Sequence, residues 1–146
     1  MRIVGTWRTC DDGVSRPVLR GVLFGAHGQP LTEWFLIDTG ADQTVLSGSV
    51  YFRVGIPGRL PDTGYRLMGI GGAADFVLIA TEVELTRDDG QVVRLRGEFA
   101  AFTDPGATDF SVLGRDVLDK FDLIVSRRKE EIWLLTGTHR YRIETQ

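Results

Sequence analysis

The sequence predicts an all-β domain, a closed antiparallel β-barrel with one short helix. Three observations carry that expectation. The 18 glycines are scattered between short apolar stretches, a pattern of strands and tight turns and not of long amphipathic helices. Two long strand-like runs, 76–85 and 92–102, are separated by Arg87-Asp88-Asp89-Gly90, whose Asp-Gly suits a hairpin turn. Only 115–121 places apolar residues at helical spacing, with Val117, Leu118 and Phe121 on one face.

The elements follow in chain order. Residues 2–8 alternate Ile3, Gly5 and Trp7 on one side and read as a strand. Residues 16–24 and 33–38 make a strand pair around Gly25-Ala26-His27-Gly28-Gln29-Pro30. After the long hairpin of 76–102 and the helix of 115–121, residues 122–125 and 131–135 read as two strands about the charged turn Arg127-Arg128-Lys129. Residues 139–144, with Tyr141 and Ile143 in alternation, read as a last strand. Many short strands with turn residues between them close most simply into a barrel.

Composition bounds the function. A chain of 146 residues, 42% hydrophobic and 25% charged, is expected to form a single domain, 1–146, with a sizeable core that needs no disulfide. No apolar run approaches the length of a membrane span, and the N-terminus lacks a basic-then-apolar leader pattern, so a soluble, cytoplasmic protein is expected. The lone Cys10 has no internal partner. A net charge of −3 with acids and bases interspersed suggests neither nucleic acid nor a membrane as partner. His27 and His139 fall in a turn and a terminal strand without a second ligand set, so no metal and no cofactor are expected.

Residues 34–42, Trp-Phe-Leu-Ile-Asp-Thr-Gly-Ala-Asp, carry the chemistry. They bring Asp38 to the end of an apolar strand and turn the chain at once with residues too small to cover a carboxylate. Charge is costly beside a packed interior, so such an acid must be neutralised or share its charge with a second group. Thr39 offers a hydroxyl to hold the turn, and Gly40 leaves room for a backbone or a ligand. From this segment alone, a buried aspartate closing an Asx-turn explains the pattern equally well.

Two further segments shift that balance. Leu67-Met68-Gly69-Ile70-Gly71-Gly72 is a glycine-rich hairpin, and Val112-Leu113-Gly114-Arg115-Asp116-Val117-Leu118 is an apolar strand ending in Gly before the short helix. In this order and at these intervals, the segments resemble those of a retroviral-type (retropepsin-like) aspartic protease, over residues 34–121. The resemblance implies a barrel of the acid-protease type, one lobe per chain. It implies catalysis at Asp38, Thr39 and Gly40 and a mobile flap tipped by Gly69, Ile70 and Gly71. Peptide contacts are implied at Ala41 and Asp42 and at the apolar walls Val45, Ile70 and Leu113, although these apolar residues suit an ordinary core equally well. Asp42 and Arg115 match positions that form an ion pair beneath the site; if buried and bidentate it would be costly to break, and both groups can instead be solvated. The flap departs from the pattern of some relatives, with Met68 where they have another glycine and Ala73-Ala74-Asp75 where they have bulkier apolar residues.

Aspartic proteolysis needs two carboxylates that share one proton, and a second lobe would take about twice this length. The other Asp-Thr-Gly, Asp62-Thr63-Gly64, follows Gly58-Arg59-Leu60-Pro61 in place of an apolar strand and reads as a loop entering the flap. The expected partners are therefore a second copy of the chain, forming a homodimer with Asp38 from each, and a peptide or protein substrate. In retroviral relatives terminal strands interleave across the dimer; whether 2–8 and 139–144 do so, or pair within their own barrel, stays open. Two alternatives remain beside the endopeptidase. One is a non-catalytic dimeric peptide-binding or assembly module on the same fold. The other is an aspartyl-phosphate phosphohydrolase, disfavoured because Gly40 stands where a second acid is needed for magnesium.

Overall fold

The computed structural model describes residues 1–62, 67–69, 72–106 and 110–137. In chain order it runs β1 (Arg2–Thr9), β2 (Ser15–Phe24), β3 (Pro30–Ile37), β4 (Val45–Leu46), α1 (Gly48–Val54), β5 (Leu67–Gly69), β6 (Gly72–Ala74), β7 (Phe76–Thr86) and β8 (Val92–Phe102). There follow β9 (Ser111–Leu113), α2 (Arg115–Leu118), β10 (Asp122–Ser126) and β11 (Glu131–Leu135). Strand follows strand in the order β10-β11-β1-β2-β3-β9-β4-β8-β7, and β7 returns to pair with β2. That last pairing, Val22 with Glu84 and Leu23 with Val83, closes a six-stranded barrel of β2, β3, β9, β4, β8 and β7.

The long hairpin is where the sequence places it. β7 and β8 pair from Phe76 opposite Phe102 to Thr86 opposite Val92, and Gly90 turns the chain at φ 80°, a conformation that costs glycine nothing. On its outer face Glu82 lies opposite Arg96 and Glu84 opposite Arg94, and each couple is ion-paired. Inside, Phe35, Leu19, Leu23, Leu46, Ile79, Leu85, Leu113, Ile132 and Leu134 are fully buried in one core. Burial of each such side chain contributes about 2 kcal/mol.

Two ring pairings are parallel, β3 with β9 and β4 with β8, where the sequence reading has an antiparallel barrel throughout. The cause is the path of β9. It enters between β3 and β4, parallel to one and antiparallel to the other, so the chain leaving it must pass beneath the loop that joins them. Gly114 is the crossing point. A Cβ there would lie 2.4 Å from the carbonyl carbon of Gln43, so only glycine fits.

The described residues also hold two helices, not the one expected. The sequence reading passes over α1, which is capped by Ser47, whose hydroxyl accepts from the Val50 N–H, and by Gly55 at φ 64°. Val50 and Val54, one turn apart, bury its inner side. The helix expected over 115–121 ends at Leu118, after which Lys120 and Phe121 N–H close short turns onto Val117 and Leu118 carbonyls.

The N-terminal strand pairs within its own chain. Arg2–Gly5 of β1 lie against β11, and Thr6–Thr9 lie against β2. The far side of the first half is met by the 87–88 turn, where the Asp88 N–H donates to the Arg2 carbonyl. The expected strand over 139–144 lies outside the described residues.

Candidate active site

Asp38 follows the last residue of β3, and its position is set by main-chain bonds. Its N–H donates to the Leu113 carbonyl at 3.2 Å, tying the end of β3 to the end of β9. The Gly40 N–H donates to Asp38 Oδ1 at 2.9 Å, and the Ala41 N–H to the Asp38 carbonyl at 3.2 Å. These bonds make the Asx-turn that the sequence allows, but the acid is not buried: Asp38 is half-buried, and Thr39 and Gly40 are exposed. The carboxylate thus sits on a rigid support and remains open to a ligand.

The loop beyond is fastened to α2. The Arg115 N–H donates to the Ala41 carbonyl at 2.9 Å and the Asp116 N–H to the Asp42 carbonyl at 3.2 Å. Above these bonds the Arg115 guanidinium meets the Asp42 carboxylate. This pair forms at the surface through one guanidinium nitrogen, with the Asp42 side chain 80% exposed, and is not a buried bidentate pair. Such pairs contribute about 0.2–1 kcal/mol, so the main-chain bonds hold the loop more firmly than the ion pair does.

Asp116 is the residue that sequence reasoning missed. Its Oδ1 accepts from Thr44 N at 2.9 Å, Thr44 Oγ1 at 2.7 Å and Val117 N at 2.9 Å. Thr44 Oγ1 in turn accepts from the Gly114 N–H at 3.1 Å, and Thr44 is fully buried. One carboxylate and one hydroxyl therefore lock both chain segments of the crossing beneath Asp38. The only signal in the sequence is an acid in the first turn of a helix, which by itself reads as a favourable dipole contact.

The apolar walls need a correction. Ile37 and Leu113 are paired and both point into the core, and Leu113 is fully buried, so it is not a ligand wall. Its neighbour Val112 is paired with Leu36, and both are half-buried. Because side chains alternate, Leu36 shares the face of Asp38, and Val112 belongs to that face as well. Val45, opposite Val112, is 7% exposed and packs in a small separate cluster with Phe76 and Ala100. β5 and β6 form a hairpin with Gly69 opposite Gly72. Its tip, Ile70 and Gly71, lies outside the described residues. Asp62 stands in an exposed bend paired to Arg59, with no apolar strand before it. Thr63 and Gly64 lie outside the described residues.

No group of three or more His, Cys, Asp or Glu side chains is placed to hold a metal among the described residues, and none of their helices is long and apolar enough to cross a membrane. No protein-family model matches the chain, and no curated protein matches it. Among solved structures, a retropepsin-like aspartic protease from Rickettsia conorii aligns with 92% of this chain and 90% of its own, at TM-score 0.54 and 16% identity. The chain has a retropepsin-like fold. EIAV protease, solved with an inhibitor, is 28% identical over 71% of this chain and 86% of its own, at TM-score 0.47. Within the retropepsin-like fold, β3, the 38–42 loop, β9 and α2 form one braced unit, with Asp38 at its open end.

Proposed function

We propose that the chain is a homodimeric aspartic endopeptidase that hydrolyses peptide bonds with a water activated between two Asp38 carboxylates, one from each copy. The observation that carries this reading is the setting of Asp38: an acid at a strand end, braced by the Gly40 N–H and by the Leu113 carbonyl, yet open on one side. A lone carboxylate can act as base or as acid, not both at once. Two that share a proton do both: the ionised one takes a proton from water, and the protonated one donates to the carbonyl oxygen of the scissile bond. The tetrahedral product of water attack then collapses as a proton passes to the leaving amine. A two-fold axis beside the Asp38 turn supplies the second group without a second lobe.

The peptide lies extended across the turn, under the hairpin of β5 and β6 acting as the flap. Leu36, Val112 and Val45 share the Asp38 face and favour apolar side chains about the cleaved bond. Incubation with a peptide library at mildly acidic pH tests the reading. Wild type is expected to cleave, and Asp38→Asn, which keeps shape and loses proton sharing, is expected to lower the rate by about a thousandfold or more. Equal cleavage by both proteins would remove Asp38 from the mechanism. Binding of peptide without cleavage by wild type would favour the non-catalytic module instead.

A further inference from the structure

β4 pairs with β8 only at Ala100 and Ala101. Further back along β8, residues 94–99 have no strand beside them on that side among the described residues. They face Asp116 and Val117 of α2, and Lys120 just beyond it, across a cavity of about 350 Å³ whose walls are all described residues. Asp38 is not among them.

Gly97 forms part of this wall, and nothing in the fold requires it to be glycine. It lies inside a strand, where glycine costs about 0.5–1 kcal/mol relative to alanine. Its φ is not positive, and a Cβ built there would meet nothing within 4 Å. Gly48 and Gly114, by contrast, are hemmed in by backbone. By alternation Gly97 shares the core side of β8 with Leu95 and Phe99, yet it is exposed, because the cavity opens where its side chain would stand. A strand glycine of this kind marks a place that another chain or a ligand approaches.

The chemistry of the walls selects the occupant. Phe99 and Val117 are buried and Leu95 is half-buried, which gives an apolar floor. The two acids of the rim are already engaged: both Glu98 oxygens accept from the Arg59 guanidinium, at 2.7 and 2.8 Å, and Asp116 is held by Thr44 and Val117. The cations are not. Lys120 has no acidic partner among the described residues, and Arg94 and Arg96 meet Glu84 and Glu82 through Nε alone, which leaves their terminal nitrogens free to donate. An anionic ligand with an apolar part fits these walls. Six consecutive residues of β8 border the space, so alternate main-chain N–H and C=O groups face it as well, a lining that suits an extended chain.

We propose that this groove is a second binding site, separate from the Asp38 face, for an extended acidic peptide segment of a partner protein. The segment lies along β8, sets an apolar side chain over Gly97 and brings carboxylates to Lys120 and to the open guanidinium ends of Arg94 and Arg96. The site goes beyond the peptidase reading and does not depend on it.

Anisotropy of a short fluorescent peptide of alternating Glu and Val, titrated with the full-length chain, tests this. Saturable binding is expected, tighter by about tenfold or more than for the same peptide with Lys in place of Glu, and weaker as salt is raised. Lys120→Glu reverses the free charge, and Gly97→Val puts a side chain into the open space; each is expected to weaken binding by about tenfold or more while the melting profile stays that of a folded protein. Equal affinity for the two peptides, or wild-type affinity in either variant, overturns the site. Complete displacement by millimolar inorganic phosphate shows a simple anion pocket and overturns the peptide assignment. A chain that binds the Glu peptide in this way and cleaves no peptide keeps this site and loses the peptidase reading.

Discussion

Asp116 and Thr44 stand 72 residues apart and meet only because β9 passes beneath the loop that carries Asp38. Removing the carboxylate strands buried donors of Thr44, each at a cost of about 1–3 kcal/mol, whereas an amide retains one acceptor. Asp116→Ala should therefore lower the urea midpoint by an amount worth about 2–4 kcal/mol, and Asp116→Asn by clearly less. An unchanged midpoint for Asp116→Ala would deny it the bracing role. Glu33, in β3, behaves differently. Burial pushes its carboxyl above the ordinary 4.5, against the opposing pull of the Ser111 and Trp34 N–H groups and the Arg53 charge. A raised value means the neutral acid suits the fold, so its stabilising effect is full below about pH 4.5 and is lost as pH rises through the folded value. Glu33→Gln should match wild type in denaturant at pH 4 and become progressively more stable than it towards pH 8; a constant difference would contradict this. At this scale the sequence puts Asp38 at a strand end, where the structure has it, and the resemblance couples Asp42 with Arg115, which meet at the surface. It names Leu113, which is fully buried in the core, where its neighbour Val112 lies on the Asp38 face, because a shift of one residue in a strand moves a side chain to the opposite face.

Elements were legible where one pattern decides them. β7 and β8 follow from their length and Asp-Gly turn, and β10 and β11 from short apolar runs on either side of a charged turn. α1 was not, because seven residues that include Gly48 and the β-branched Val50 and Val54 have poor helical propensity. Its stability comes from caps and from packing against β8. In retrospect Ser47 and Gly55 bracket it at the right distance. The parallel arrangement of β9 could not be read from spacing at all, since it depends on which gap in the barrel the strand fills. The crossing itself makes a sharp prediction. Gly114→Ala forces a methyl group into the backbone of Gln43, not into a yielding side chain, and should destabilise by about 3 kcal/mol or more. A thermal melt within a degree of wild type would show that the two segments can part freely.

At the scale of the whole molecule, the barrel was legible from glycine spacing and strand count, while its closure through β2 and β7 rests on twist and register that no local pattern records. The proposed dimer gives activity a dependence on amount as well as on chemistry. Below the dimer dissociation constant, the dimer fraction per chain falls in proportion to concentration, so a tenfold dilution should lower specific activity about tenfold. Peptide cleavage measured across several decades of concentration checks this, and a flat specific activity would mean that a lone barrel suffices.

β11 lies between β10 and β1 of its own chain, so in the proposed dimer none of these three strands is threaded through the other copy. Among the described residues each subunit of the proposed dimer is a finished body before it meets its mate, and separation asks none of these strands to unravel. Assembly of the proposed dimer is then expected to behave as a reversible docking of ready-made halves, with a half set free from one couple able to join another without refolding.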